Sequence, residues 1–183
     1  MEKLLELAEK IKDKELREKV IKFLKEPKLS NPNFKYKNLS LRDAPASNQW
    51  HHSYVGGLVE HTYAVTLMCI EVAKVLEKVY KIKIDMDSLI AAALLHDIGK
   101  LWEYKKYGGS WTSTKITLDH TILGTSELYA RGFPESVIHI VASHFGHQGP
   151  TPPQTTEALI LHTIDNMDAL LSGSGQPQLL YLI

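Results

Sequence analysis

Apolar residues near the start of the chain recur at three- and four-residue steps: Leu4, Leu7, Ala8, Ile11, Leu16, Val20, Phe23 and Leu24. Lys and Glu fill most positions between them. That period predicts one amphipathic helix over 2–25, ended by Pro27 and Pro32. Residues 30–50, with Asn31-Pro32, Asp43 and Pro45, predict an irregular connection. A second helix is expected over about 60–80, apolar at Val65, Met68, Cys69, Val72, Val75, Leu76 and Val79. A third starts at Asp87 or Ser88, either able to cap it. It runs through Ala91–Leu95 to His96, with Gly99 as its C-terminal stop. Residues 104–117 hold the one plausible strand pair. Gly108-Gly109 would make the turn, and Trp111, Thr112, Thr114 and Ile116 suit strands. A fourth helix fits 119–131 and ends at Gly132. A fifth starts at Pro134, a favoured first-turn residue, and reaches about His144. "GHQGPTPP" predicts a loop, and a sixth helix fits 155–171. The expected fold is all-α, a helical bundle with a small β-hairpin or loop insertion near 104–117. It divides into a lead-in over 1–43, a working domain over 44–171 and a tail over 172–183.

Composition narrows the setting. The chain has 183 residues, 44% hydrophobic and 23% charged, enough to bury a core in one domain. Its 21 basic and 21 acidic residues cancel. Net charge therefore gives no reason to expect a nucleic-acid or membrane surface as partner. The mild basic excess of residues 1–37 reads as a solvated helix face. The single cysteine, Cys69, allows no intramolecular disulfide and falls in an apolar helical run. No apolar run nears the length that spans a bilayer, and the first residues are charged. The expected location is the cytoplasm.

The nine histidines change the picture, because none falls in residues 1–50. In "AAALLHDIGK", residues 91–100, an apolar run stops at His96 and Asp97. Two polar groups so placed need a partner, since unpaired buried polar groups are costly. Other candidates fall near the ends of other expected helices: His61, His120 and His144, with Asp165 inside the sixth. A bundle can aim such residues into one cavity. Four imidazoles and two carboxylates suit a divalent metal with room for bound water. No HExxH or paired CxxC motif is present.

"HDIGK", with an upstream His and a distant Asp, resembles the HD-domain metal-dependent phosphohydrolase superfamily. "APASNQWHHSYVGGLVEHT", "ALLHDIGK", "DHTILG", "ASHFG" and "LHTIDNMDALL" are similar, in order, to segments of the HD domain in YhaM-like 3′–5′ exoribonucleases. The resemblance covers roughly residues 44–171. It implies His61, His96, Asp97 and Asp165 as ligands of one metal, with Asp97 bridging to a second held by His120 and His144. It implies Lys100 as the signature lysine, able to hold a phosphate oxygen. The ion would be Mn, Fe, Ni, Co, Zn or Mg. Two departures stand out. Relatives often carry adjacent histidines where this chain has His144-Phe145, so a second-metal ligand is missing or replaced by His147. The N-terminal OB-fold of the exoribonuclease branch has no counterpart before residue 44, nor does the lead-in offer the strands and aromatics that grip single strands.

Further candidates are open to two readings. His51 and His52, before the close-approach pair Gly56-Gly57, either contact phosphate or make structural hydrogen bonds. His139 reads as structural. His162 either orients a ligand or packs, and Asp168 binds substrate or caps a polar patch. Trp50, Trp102 and Trp111 either stack on a base or fill the core.

The resulting expectation is a metal-dependent phosphohydrolase acting on nucleotides or short nucleic-acid ends, with Asp97 and Lys100 at the chemistry. A 3′–5′ nuclease on short strands and a non-catalytic metal- or nucleotide-sensing module are the alternatives. The apolar end "LLYLI" suits packing on a second copy, as a homo-oligomer, or on the chain's own core.

Overall fold

A computed structural model describes residues 1–172. The tail over 173–183 lies outside the described residues. In chain order come α1 (Glu2–Ala8), α2 (Lys14–Lys25), α3 (Gly57–Tyr80), α4 (Met86–Leu95), the single turn α5 (Lys100–Glu103), β1 (Tyr104–Tyr107), β2 (Ser110–Ser113), α6 (His120–Ala130), α7 (Glu135–Ala142) and α8 (Thr156–Ser172). A 3₁₀ turn, Gly146–Gln148, joins α7 to α8. The mostly helical architecture with one small antiparallel hairpin is the class its periodicity predicts. No helix among the described residues is long and apolar enough to cross a membrane.

α4 is the centre. Every residue from Ser88 to Leu95 is buried, and α1, α2, α3, α7 and α8 all pack against it. Truncating Leu89 or Leu95, both fully buried, to Ala costs about 2–5 kcal/mol through lost transfer energy and a residual cavity. The lead-in joins the same core through Leu4, Leu7, Ile11, Val20, Phe23 and Leu24.

Three local readings change. The helix expected over 2–25 is two helices with a break at 9–13. Asp13 caps α2 by accepting from the Leu16 amide. Asp87, expected with Ser88 as an alternative cap of α4, instead accepts the Lys12 and Asp13 amides at 2.9 and 2.8 Å and stabilises the break. Asp85 takes over as the α4 cap, accepting from the Ser88 amide. Gly99 is not a left-handed stop: its φ is −61°. Its missing side chain serves contact, because a Cβ there would lie 2.0 Å from the His120 carbonyl oxygen. Gly99 thus lets the start of α6 close on the end of α4. The hairpin turns at Gly108 and Gly109, both at positive φ, as expected. β2 stops at Ser113, where Thr114 leaves the ladder to bond the Glu103 carbonyl through its amide and the Trp102 carbonyl through its hydroxyl.

Candidate metal centre

Three elements deliver the four donors of the first group. His61 lies in the second turn of α3, which begins at Gly57. A Cβ on Gly57 would meet the His52 carbonyl at 2.0 Å, so glycine lets the loop before α3 fold against it. His96 follows α4, Asp97 comes next, and Asp165 projects from α8. His61 Nε2 lies 3.2 Å from His96 Nε2, 3.1 Å from Asp165 Oδ1 and 3.3 Å from Asp97 Oδ2. His96 Nε2 is 3.5 and 3.4 Å from the same two oxygens. Donors bound to one ion at about 2.1 Å stand about 3.0–3.4 Å apart at octahedral or tetrahedral angles, which is the spacing seen.

The second group is Asp97, His120 and His144. Asp97 Oδ1, the oxygen not used above, lies 3.3 Å from His120 Nε2 and 3.9 Å from His144 Nε2. One carboxylate therefore faces two donor groups, one oxygen to each.

The far side of each ring explains which nitrogen faces inward. His96 Nδ1 donates to the Ala93 carbonyl at 2.9 Å, and His144 Nδ1 to the Val141 carbonyl at 2.7 Å. His61 Nδ1 meets Asp168 Oδ2 at 2.7 Å, and His120 Nδ1 meets Glu103 Oε2 at 3.0 Å. Each ring engages Nδ1 outward and turns Nε2 inward, the arrangement that orients metal-bound imidazoles. His120 Nε2 and His144 Nε2 are buried and lack any hydrogen-bond partner. Lone pairs facing carboxylate oxygens are repulsive unless positive charge comes between them. The donors fit a divalent cation.

Titration tells the same story without a metal. Burial opposes charge at His96, but the Asp97 and Asp165 carboxylates override it and raise the imidazole to about 9. At His61 burial is likewise outweighed by hydrogen bonds to Asp165, Asp168 and Asp97, which hold the ring well above its usual value. Burial disfavours the Asp97 anion, yet Lys100 and the surrounding imidazoles keep it well below the usual carboxylate range. His144 has no such carboxylate bond, and burial lowers it to about 4. The site draws in positive charge, as protons or as metal.

Lys100 has a partner inside the site. It is buried, and its Nζ lies 2.6 Å from Asp97 Oδ2. His147 is exposed on the 3₁₀ turn and joins neither donor group. Phe145 does not enter the cluster either; its ring packs over His144 and His120. His51 and His52 are buried beside His61 and Asp168. Burial lowers His51 to about 4, so it is neutral near neutral pH. Asp168 meets His61 at the nitrogen that faces away from the first donor group.

Two further residues support the donors, one of them, His162, already open to that reading in the sequence. Glu103 gives no signal in the sequence, yet it fixes His120. His162 donates through Nδ1 to the His144 carbonyl at 2.7 Å. Its ring lies against Gly146, where φ is +59° and a Cβ would come within 2.3 Å of the imidazole. The left-handed glycine and the ring together shape the turn that carries His144. His139 lies apart, accepting from the Gln154 amide at 3.2 Å.

A helical bundle that brings His61, the His96-Asp97 pair and Asp165 to one point has the layout of the HD domain. Residues 58–170 match the HD domain family, and the chain belongs to it. It is a metal-dependent phosphohydrolase, which sets aside the non-catalytic alternative. Over 174 residues it is 48% identical to the dihydroneopterin 2′,3′-cyclic phosphate phosphodiesterase of Methanocaldococcus jannaschii, covering 94% of this chain and 70% of that protein. No solved structure matches.

Proposed function

We propose that this chain is a two-metal phosphodiesterase that opens a 2′,3′-cyclic phosphate on a small molecule bearing a heterocycle, of the dihydroneopterin kind. The observation that carries the metal part is Asp97, whose two oxygens face separate groups of imidazoles. The substrate class rests on the similarity to the cyclic-phosphate enzyme along nearly the whole chain.

In this reading His61, His96, Asp97 and Asp165 would hold one ion, and Asp97, His120 and His144 the other. The ions would supply water acidified toward hydroxide and positive charge for the phosphoryl oxygens. The protein's own groups do the rest. Asp168 and Glu103 hold His61 and His120 with Nε2 inward. The Ala93 and Val141 carbonyls do the same for His96 and His144. Lys100 fixes Asp97 and offsets part of the site's negative charge. With three protein donors against four, the second group would be the one to admit water and a phosphoryl oxygen.

Nucleotides and short nucleic-acid ends are the second substrate reading, through the resemblance to exoribonuclease HD domains. A substrate panel tests both. Metal-loaded protein is offered dihydroneopterin 2′,3′-cyclic phosphate, nucleoside 2′,3′-cyclic phosphates and an end-labelled single-stranded oligonucleotide. The proposal expects ring opening of the pterin compound to a monophosphate at the highest kcat/KM. Stepwise shortening of the oligonucleotide with no cyclic-phosphate hydrolysis would replace it with the nuclease reading.

A further inference from the structure

Phe145 is 37% exposed, yet its ring sits on two of the candidate metal donors. Its centroid lies 4.6 Å from that of His144 and 5.0 Å from that of His120. The His120 contact is edge-on, at 84°. Both imidazoles are buried, with hydrogen bonds that fix their orientation. The phenyl ring is thus supported from below by rigid groups and open above. The turn beneath it is fixed as well, by the Phe145 carbonyl accepting the Gln148 amide and by the close approach of Gly149, where an added Cβ would lie 3.2 Å from the Phe145 Cβ.

The chemistry around this ring is otherwise polar. An apolar π-face beside the less-filled donor group adds nothing to metal binding, and an exposed phenyl gains nothing from water. It suits a flat, polarisable partner brought in with the phosphate. Aromatic side chains stack on planar heterocycles without reading their edges, because every such ring has a π-face.

We infer that Phe145 is a specificity-determining platform: it stacks on the planar heterocycle of the substrate while the phosphodiester reaches the second donor group. This rests on the cyclic-phosphodiesterase reading and adds to it the surface that recognises the ring. Trp50 is the internal comparison. It is also exposed, at 47%, but its ring touches His51, which lies outside the two donor groups that share Asp97.

The test compares two cyclic phosphodiesters, a ring-bearing one with a planar heterocycle (dihydroneopterin 2′,3′-cyclic phosphate) and a ring-free one without such a heterocycle (glycerol 1,2-cyclic phosphate). Phe145→Leu keeps apolar bulk and loses the π-face. It should lower the ratio of kcat/KM, ring-bearing to ring-free, by about tenfold, within the range that loss of one stacked base gives. Trp50→Leu should leave that ratio as it is. Equal losses on both substrates, or a selective loss in Trp50→Leu alone, would overturn the inference. Should the wild-type protein hydrolyse neither compound, the phosphodiesterase reading fails by itself. The platform is then judged by neopterin monophosphate binding to metal-loaded protein. About tenfold weaker binding to Phe145→Leu supports it, and equal binding overturns it.

Discussion

Lys100 Nζ lies 2.6 Å from Asp97 Oδ2, and both side chains are buried. A buried pair gains little over an apolar replacement, but leaving one member unpaired is costly. Here the ammonium is a built-in countercharge for a carboxylate that also faces four imidazoles.

Lys100→Met removes that countercharge while keeping the stem. Metal-free protein should lose about 1–3 kcal/mol, the cost of removing a charged hydrogen-bond donor from a buried carboxylate that the protonated His61 and His96 still face. Metal-loaded protein should lose clearly less, since the ions supply positive charge at the same oxygens. Thermal unfolding of both forms, with and without metal, checks the difference.

Asp168→Asn leaves the shape of α8 but weakens the grip on His61 Nδ1. Losing such a partner typically costs about 10–100-fold in metal affinity or activity. Chelator competition should show the loss in the first group to release metal. A variant that holds its metals as tightly as wild type would show that Asp168 only packs.

His162→Ala acts on the other group, through the His144 carbonyl and the turn at Gly146. We expect the second ion to be lost on dialysis while the first stays, with about tenfold weaker second-site affinity. Metal-to-protein ratios after dialysis read this directly. Gly146→Ala should show the same selective loss, from the opposite side of the same contact.

Metal uptake should release protons. His96, raised to about 9, and His61, held well above its usual value, both carry protons at pH 7 in metal-free protein. Ligation needs the neutral ring, so binding expels them. Raised imidazoles favour the metal-free folded state below their unfolded value near 6.5, and that contribution is lost as pH rises through about 9. Metal affinity therefore rises with pH over the same window. Calorimetry at pH 7 in two buffers of different ionisation enthalpy should give heats that differ accordingly.

Much of this was legible in the sequence. The apolar periods of α3, α4 and α8 and the glycine turn of the hairpin placed the main elements. An apolar run ending on His96-Asp97 pointed to the donors. What the sequence hid was action at a distance. The break between α1 and α2 depends on Asp87, more than seventy residues on, and the leucine spacing runs straight through it. Gly99 reads as a helix stop, and only the approach of the His120 carbonyl shows why it is glycine. Lys100 reads as a free cation until its distance to Asp97 is known. Glu103 carries no local signal, because it acts on a ring supplied by another element; His162 stands out by its spacing from Asp165, yet its partner is the turn that carries His144.

The central claim is that one carboxylate, Asp97, serves both donor groups. Metal content of purified, metal-loaded Asp97→Ala against wild type tests it most directly. We predict about two ions per wild-type chain and loss from both groups in the variant. An Asp97→Ala chain that keeps its full complement of metal would contradict the account.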